Sequence, residues 1–230
     1  MAGFNVRNVL VTGANRGISL ELAKQLLEKS NPPEWVFATC RDPEGEQAQQ
    51  LKNLASRHPN LVIIALEATD PTSIKVAATR VEEHLKSSGL NLLINNAGIV
   101  RPSTLESETP EDMSLVYATN VTGHLLVSQL TRGCSFLPIT WEFVQVVSYR
   151  CSKAALNMLT KCQSLGYEGD GILSITVNPG WLQTDMGSSA SHQAPLMVDV
   201  SVQGILNVLP TLSKKDNGAF VNWEGKILPW

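Results

Sequence analysis

The stretch "NVLVTGANRGISLELAKQLLEKS", residues 8–30, decides the fold. "NVLVTG" (8–13) reads as a strand with consecutive apolar residues at its centre. A run of that kind suits a strand buried on both faces, as in a parallel sheet covered by helices. "ISLELAKQLLEKS" (18–30) follows with apolar side chains at helical spacing. Gly13 and Gly17 bracket the tight turn between the two. Bare backbone N–H groups at such a turn, backed by the helix dipole, suit a pyrophosphate. An ordinary glycine-rich turn between strand and helix reads the same way, so the turn alone leaves both open.

The alternation continues outward. "EWVFATC" (34–40), "NLVIIALE" (60–67) and "LNLLINNAG" (90–98) read as further strands. "EQAQQLKNLASRH" (46–58) and "PTSIKVAATRVEEHLKSS" (71–88) read as helices between them. The second of these opens with Asp70 as N-cap and Pro71 at the first helical position. Apolar strands spaced by helices imply an α/β fold with a doubly wound, mostly parallel sheet. No repeat or linker interrupts the pattern, so residues 1–230 are expected to form a single domain. Apolar residues make up 43% of the chain, enough for a sizeable core. A net charge of −3 with no basic block argues against a nucleic-acid or membrane-surface partner. No signal peptide is read at the start, and no apolar run approaches the roughly 20 residues of a membrane span. Cys40, Cys134, Cys151 and Cys162 form no C-x-x-C pair and do not cluster with histidines. A metal site or disulfide framework is therefore not expected, and a reduced, cytoplasmic setting is.

Two further patterns carry chemistry. An acidic residue at the end of the second strand would grip a ribose 2′-OH and select NAD. Here Cys40 holds that place and Arg41 follows. A small neutral residue beside a guanidinium suits a 2′-phosphate, and Arg16 in the glycine turn adds a second positive charge. The alternative for both arginines is a solvated surface charge, but their place where the adenosine end should lie favours the phosphate role. Tyr149 and Lys153 lie four apart at the start of a helical pattern, hence on one face. Such a pair can donate a proton to a carbonyl, although Tyr and Lys also fall four apart by chance.

Together these segments resemble the short-chain dehydrogenase/reductase family over nearly the whole chain. "TGANRGI" (12–18) matches its cofactor turn, and "NNAG" (95–98) the segment that steadies the fourth strand beside the adenine. Asn120 in "YATNVTG" matches the helix asparagine, and "YRCSK" (149–153) the Tyr-x-x-x-Lys signature. "NPGWLQTDM" (178–186) matches the segment after the sixth strand. Within the family, "ATCRDPE", "LNLLINNAGI", "YRCSKAALNMLTK" and "GAFVNWEGKILPW" look like the carbonyl reductases of the sniffer and C-factor-like group. The resemblance implies a Rossmann-type fold, NADP(H) as cofactor and a small carbonyl substrate. In the turn, Gly13, Asn15, Arg16, Gly17 and Ile18 would hold the cofactor. Arg41 would take its phosphate end, and Asn96, Ala97 and Gly98 would flank it. Lys153, Pro179, Gly180 and Thr184 would hold the nicotinamide end. Tyr149, Lys153 and Asn120 would be catalytic. Free tyrosine has a pKa near ~10, too high for easy proton transfer at neutral pH. The Lys153 ammonium would lower it, and Asn120 would hold a water that relays protons to Lys153.

The family pattern also includes a serine at the end of the fifth strand, one loop before the tyrosine. Here the text between the Asn120 helix and Tyr149 is "VSQLTRGCSFLPITWEFVQVVS" (127–148), shorter than the resemblance implies. Ser135 lies 14 residues before Tyr149 but has Pro138 nearby and no clear strand, and Ser148 adjoins Tyr149. The serine is therefore expected to be absent and the fifth-strand region altered. "WEFVQVVS" (141–148) is expected to fill the slot as a parallel strand beside the fourth and to run into the Tyr149 helix. Ser19, where the family has a third glycine, is expected to crowd the phosphates. His58, His84, His124 and His192 read as surface or helix residues. Cys151 should face away from the pocket, and Trp181 should pack beside it. Residues 187–200 read as a mobile lid. The expected function is NADPH-dependent carbonyl reduction, impaired by the lost serine. The alternative is a catalytically inactive member that binds nucleotide or a protein partner. A homo-oligomer is left open.

Overall fold

The opening stretch folds as a strand, a glycine turn and a helix in the computed structural model, which describes residues 6–86, 88–131, 135–136, 146–187 and 194–229. Strand β1 (Asn8–Val11) is buried along its whole length. Helix α1 (Gly17–Leu27) follows, then β2 (Trp35–Cys40), α2 (Gln49–Ala55), β3 (Leu61–Ala65), α3 (Pro71–Leu85) and β4 (Leu92–Ile94). Asp70 caps α3 by accepting a hydrogen bond from Thr72 N at 2.9 Å, with Pro71 next. The helix stops earlier than the pattern suggests because Lys86 turns to φ +53°. All pairings in the main sheet are parallel: Val9 of β1 lies beside Val36 of β2 on one side and Leu92 of β4 on the other.

Side chains alternate across this sheet, and both faces are covered. Val9, Val11, Val36 and Ala38 point to one side, onto Leu22 and Leu26 of α1 and Leu51 of α2. Leu10, Phe37 and Leu93 point to the other, onto Ile74 and Val81 of α3. The strand order is β3-β2-β1-β4-β5, where β5 is Ser135–Phe136. The order reverses between β1 and β4, and the crevice beyond their carboxyl ends is where such sheets bind ligands.

Between β4 and β5 runs a long helical segment: α4 (Pro110–Tyr117), a π-turn (Ala118–Gly123) and α5 (His124–Thr131). After it come α6 (Val147–Gly166), β6 (Thr176–Asn178), α7 (Val198–Val208) and β7 (Phe220–Asn222). Strands β6 and β7 pair in parallel with each other.

Two expectations change here. The place beside β4 is taken by β5, with Leu93 opposite Ser135 and Ile94 opposite Phe136. The backbone groups along the edge of β4 need partners, and the chain supplies them soon after α5, at a pair of residues with no strand-like run around it. Residues 141–145 of the expected strand lie outside the described residues. Val146 makes a single parallel bridge to Ser103, while Val147 and Ser148 are already helical. In the expected lid, residues 188–193 also lie outside the described residues. Val198–Val200 form the first turn of α7, and Val202 and Leu206 of that helix pack into the core beside α1. Among the described residues no helix is long and apolar enough to cross a membrane.

Candidate active site

The glycine turn is tied down on both flanks. Thr12 N donates to Ile94 O at 3.0 Å, and Thr12 Oγ1 accepts from Asn96 N and Ala97 N, each at 3.0 Å. Ala14 N donates to Thr39 O at 2.8 Å. The backbone of Ala97 therefore passes directly over Gly13. A Cβ at Gly13 would sit 3.0 Å from Ala97 Cα, and Gly13 has φ +67°. Both facts require glycine. Gly17, at φ +58°, opens α1.

Ser19 does not crowd this turn, contrary to expectation. Its side chain is fully buried and points under the turn, where Oγ donates to Thr12 O at 2.8 Å and accepts from Asn96 Nδ2 at 2.7 Å. The hydroxyl is a brace between β1, α1 and the 95–98 segment. Asn95 works similarly on the other side, donating to Ser128 Oγ at 3.0 Å and so tying β4 to α5.

Beyond the carboxyl ends of β1 and β4 opens a cleft of about 1310 Å³. Every residue predicted to hold the cofactor lines it. Gly13, Asn15, Arg16, Gly17 and Ile18 form one part of the wall. Cys40 and Arg41 line it too, as do Asn96, Ala97 and Gly98. Pro179, Gly180 and Thr184 line it as well, with Trp181, whose Nε1 donates to Gly187 O at 3.0 Å. Arg16 Nη1 lies 3.3 Å from Asp185 Oδ2, and Arg41 Nε 4.0 Å from Glu67 Oε2. Both pairs are exposed, and such pairs contribute roughly 0–1 kcal/mol. Either guanidinium can therefore exchange its carboxylate for a phosphate at small cost. Asp42, the nearest acid after β2, accepts from Glu44 N and Gly45 N at 3.1 and 3.0 Å, which holds its carboxylate in its own turn.

Tyr149 and Lys153 line the same cleft, and both are buried. Lys153 Nζ lies 5.3 Å from the centre of the Tyr149 ring. Burial pulls the Lys153 ammonium down to about 8. His124 is on a helix, as read, and is wholly buried. Its Nε2 lies 2.5 Å from Ala97 O, so Nε2 carries the proton. Burial, then the nearby Lys153 charge, holds the imidazole neutral by lowering it to about 3.

Asn120 differs from the other predicted residues. It sits in the π-turn, fully buried, behind the cleft rather than on its wall. Its Oδ1 accepts from Ile99 N at 2.9 Å, and its Nδ2 donates to Ile99 O at 3.0 Å and Ser152 Oγ at 3.1 Å. Ser152 Oγ in turn donates to Tyr149 O at 2.7 Å. The amide thus joins the strand-end segment to the first turns of α6. Ser152 escaped the sequence reading. Its position inside Tyr-x-x-x-Lys, on the face opposite exposed Cys151, was the available signal.

Of the two serines considered as the missing hydroxyl, Ser148 is fully buried and does not line the cleft. Its helical position turns it away from the side that Tyr149 presents. The side chain of Ser135 lies outside the described residues. Among the described residues no serine lines the cleft.

Known proteins match this arrangement. The family model described as short chain dehydrogenase matches residues 7–132. An uncharacterized oxidoreductase of Schizosaccharomyces pombe is 31% identical, with 96% of each chain covered. That alignment runs over 256 positions, whereas this chain has 230 residues, so the relative carries residues with no counterpart here. Among solved structures, an NADPH-bound carbonyl reductase from chicken fatty liver is similar at TM-score 0.93 and 53% identity, covering 99% of this chain and 100% of the other. The carbonyl reductase Sniffer of Drosophila melanogaster is similar at TM-score 0.89 and 30% identity, covering 98% and 100%.

Proposed function

The chain belongs to the short-chain dehydrogenase family, and from that premise we propose that it binds NADPH and reduces small carbonyl compounds. The observation that carries this reading is that Tyr149 and Lys153 line the same cleft as the glycine turn and the two arginines. The residues fit the cofactor. Gly13 and Gly17 both line the cleft at positive φ, and a Cβ at Gly17 would meet only Thr184 Cγ2 at 3.7 Å, which leaves bare backbone for a pyrophosphate to approach. Arg16 and Arg41 suit the 2′-phosphate, and no free acid at the end of β2 competes for it. Asn15, Gly17, Ile18 and the 96–98 backbone would flank the adenosine half. Pro179, Gly180 and Thr184 would flank the nicotinamide, and Lys153 would bond its ribose.

When bound, NADPH supplies hydride to the carbonyl carbon. Tyr149 supplies the proton that the carbonyl oxygen then takes. The Lys153 ammonium stabilises the phenolate that is left. Asn120 acts through position: it fixes Ile99 on one side and, through Ser152, the backbone of Tyr149 on the other. Among the described residues no serine lines the cleft beside the phenol, and on this reading one hydrogen-bond donor to the substrate oxygen is missing. Turnover is then expected at roughly 10⁻²–10⁻³ of a complete enzyme's rate. Ser148, buried and off the cleft wall, favours this reduced activity. It also favours a second reading, a member that binds nucleotide without turning it over.

Fluorescence titration separates cofactors. NADPH is expected to bind more tightly than NADH, and Arg41→Asp to weaken NADPH selectively. Equal affinities would refute the phosphate role. Oxidation of NADPH with a reactive dicarbonyl then tests the reaction itself.

The pH dependence follows from Lys153. Its ionisation is lowered to about 8, so the ammonium is present below that pH and lost above it. The kcat/KM for NADPH should be flat near pH 7 and fall as pH rises through about 8. The limb is the loss of the Lys153 ammonium. Lys153→Met should be slower at every pH and lack the limb. A profile flat to pH 10 would remove Lys153 from the mechanism.

A further inference from the structure

Helix α6 must begin two residues before Tyr149, and its own sequence offers no cap. Val146 stands at the N-cap with an apolar side chain, followed by Val147. The first N–H groups of any helix lack partners within it. Here they find acceptors on a segment some forty residues earlier. Val147 N donates to Ser103 Oγ at 3.3 Å, and Ser148 N donates to Glu108 Oε2 at 3.0 Å. Ser103 Oγ donates to the same Glu108 oxygen. The backbone bridge between Ser103 and Val146 holds the two segments in register.

Glu108 is itself held. Thr104 N donates to Ser107 Oγ at 2.9 Å, Ser107 N to Thr104 Oγ1 at 3.2 Å, and Glu108 N to Thr104 O at 3.0 Å. The carboxylate therefore projects from a closed turn just before Thr109, the N-cap of α4. A negative charge there favours the positive end of α6. The hydrogen bond from Ser103 is the chief reason that the Glu108 carboxyl is held below its ordinary range, with the Ser148 N–H adding to it. It stays ionised across the pH range of any carbonyl-reduction assay.

We propose that Glu108 is a positioning residue for Tyr149: by accepting the Ser148 N–H it fixes where α6 starts, and so where the phenol stands over the cleft. Tyr149 is the third residue of the helix, so a shift of the first turn moves the phenol directly. This role rests on the reading of Tyr149 as proton donor.

The test compares the full chain with Glu108→Ala and Glu108→Gln. Three quantities are measured: NADPH affinity, turnover of a dicarbonyl per NADPH-binding site, and amide exchange at Val147 and Ser148. Glu108→Ala is expected to lower turnover per site at least about tenfold, since ångström misplacement can cost about 10². NADPH affinity should stay within about twofold, and exchange at the two amides should quicken. Glu108→Gln keeps an acceptor and should recover most of the turnover. Unchanged turnover per site in Glu108→Ala would overturn the proposal. So would a loss of NADPH binding in proportion to turnover, or a glutamine variant as impaired as alanine. If the parent chain oxidises no NADPH, the reductase reading falls on its own, and exchange decides for Glu108. Quickening in alanine but not glutamine supports the cap, and no quickening in alanine overturns it.

Discussion

Replacing Tyr149 with phenylalanine is expected to remove nearly all NADPH oxidation with a dicarbonyl while leaving NADPH affinity close to that of the parent. A positioned general acid contributes about 10²–10⁴ in rate. The ring is buried against Lys153, so phenylalanine fills the same space and the helix start is undisturbed. What is lost is the hydroxyl group and the proton it would donate. Loss of most of the turnover places Tyr149 in the chemistry. If the variant and the parent are equally slow, the second reading holds: Gly13, Gly17 and Arg41 bind nucleotide, and the phenol does nothing. Ser135→Ala gives a further branch. A parent with robust turnover that falls in this variant too would identify Ser135 as the hydrogen-bond donor thought missing.

Gly13→Val should have a large effect on binding. The added Cβ would meet the Ala97 backbone at 3.0 Å, and no side-chain rotation relieves a clash with backbone. The positive φ adds about 1–2 kcal/mol for a residue with a Cβ. Crowding a well-packed site costs typically about 1–3 kcal/mol more. These costs act on the folded turn, so the variant is expected to lose thermal stability, and NADPH affinity should fall at least about tenfold because the turn and the Ala97 segment, both on the cleft wall, must move apart. Gly171→Ala is the control: it shares the positive φ, at +71°, but a Cβ there meets nothing within 4 Å. It should cost some thermal stability and leave NADPH affinity alone. Comparable losses in both variants would mean that strain, and not the approach of Ala97, governs the turn.

Elements whose signals are local could be read from the sequence. Strands β1 to β4 announce themselves by unbroken apolar runs, and α3 by Asp70 and Pro71. The cleft residues came from short motifs around glycines and from the Tyr149–Lys153 spacing. Elements whose reasons are distant could not be read. Strand β5 is two residues long and exists because β4 needs a partner, so no propensity marks it. "WEFVQVVS" has high strand propensity, yet its last two residues start a helix, because Ser103 and Glu108 accept their N–H groups. His124 looks like any helix histidine until Ala97 closes over it. Ser19 misled because position suggested crowding, while its side chain turns inward to Thr12. The π-turn around Asn120 has no compositional mark either. Asn120 could be matched by motif, but that it works from behind the cleft wall depends on Ile99 and Ser152.

The pairing of Arg16 with Asp185 joins the glycine turn to the loop beyond β6, across the mouth of the cleft. Arg16 is thus a shared guanidinium, and an arriving dinucleotide phosphate must displace a carboxylate to reach it. Added salt would then act on both contacts at once, loosening the phosphate's hold while weakening its competitor. The two effects oppose each other. Arg16 should therefore contribute little to the ionic-strength dependence of nucleotide capture, and the steeper share should fall to Arg41, whose contact with Glu67 is already stretched to 4.0 Å. The cleft mouth is in this sense buffered against its ionic surroundings on one side and responsive on the other.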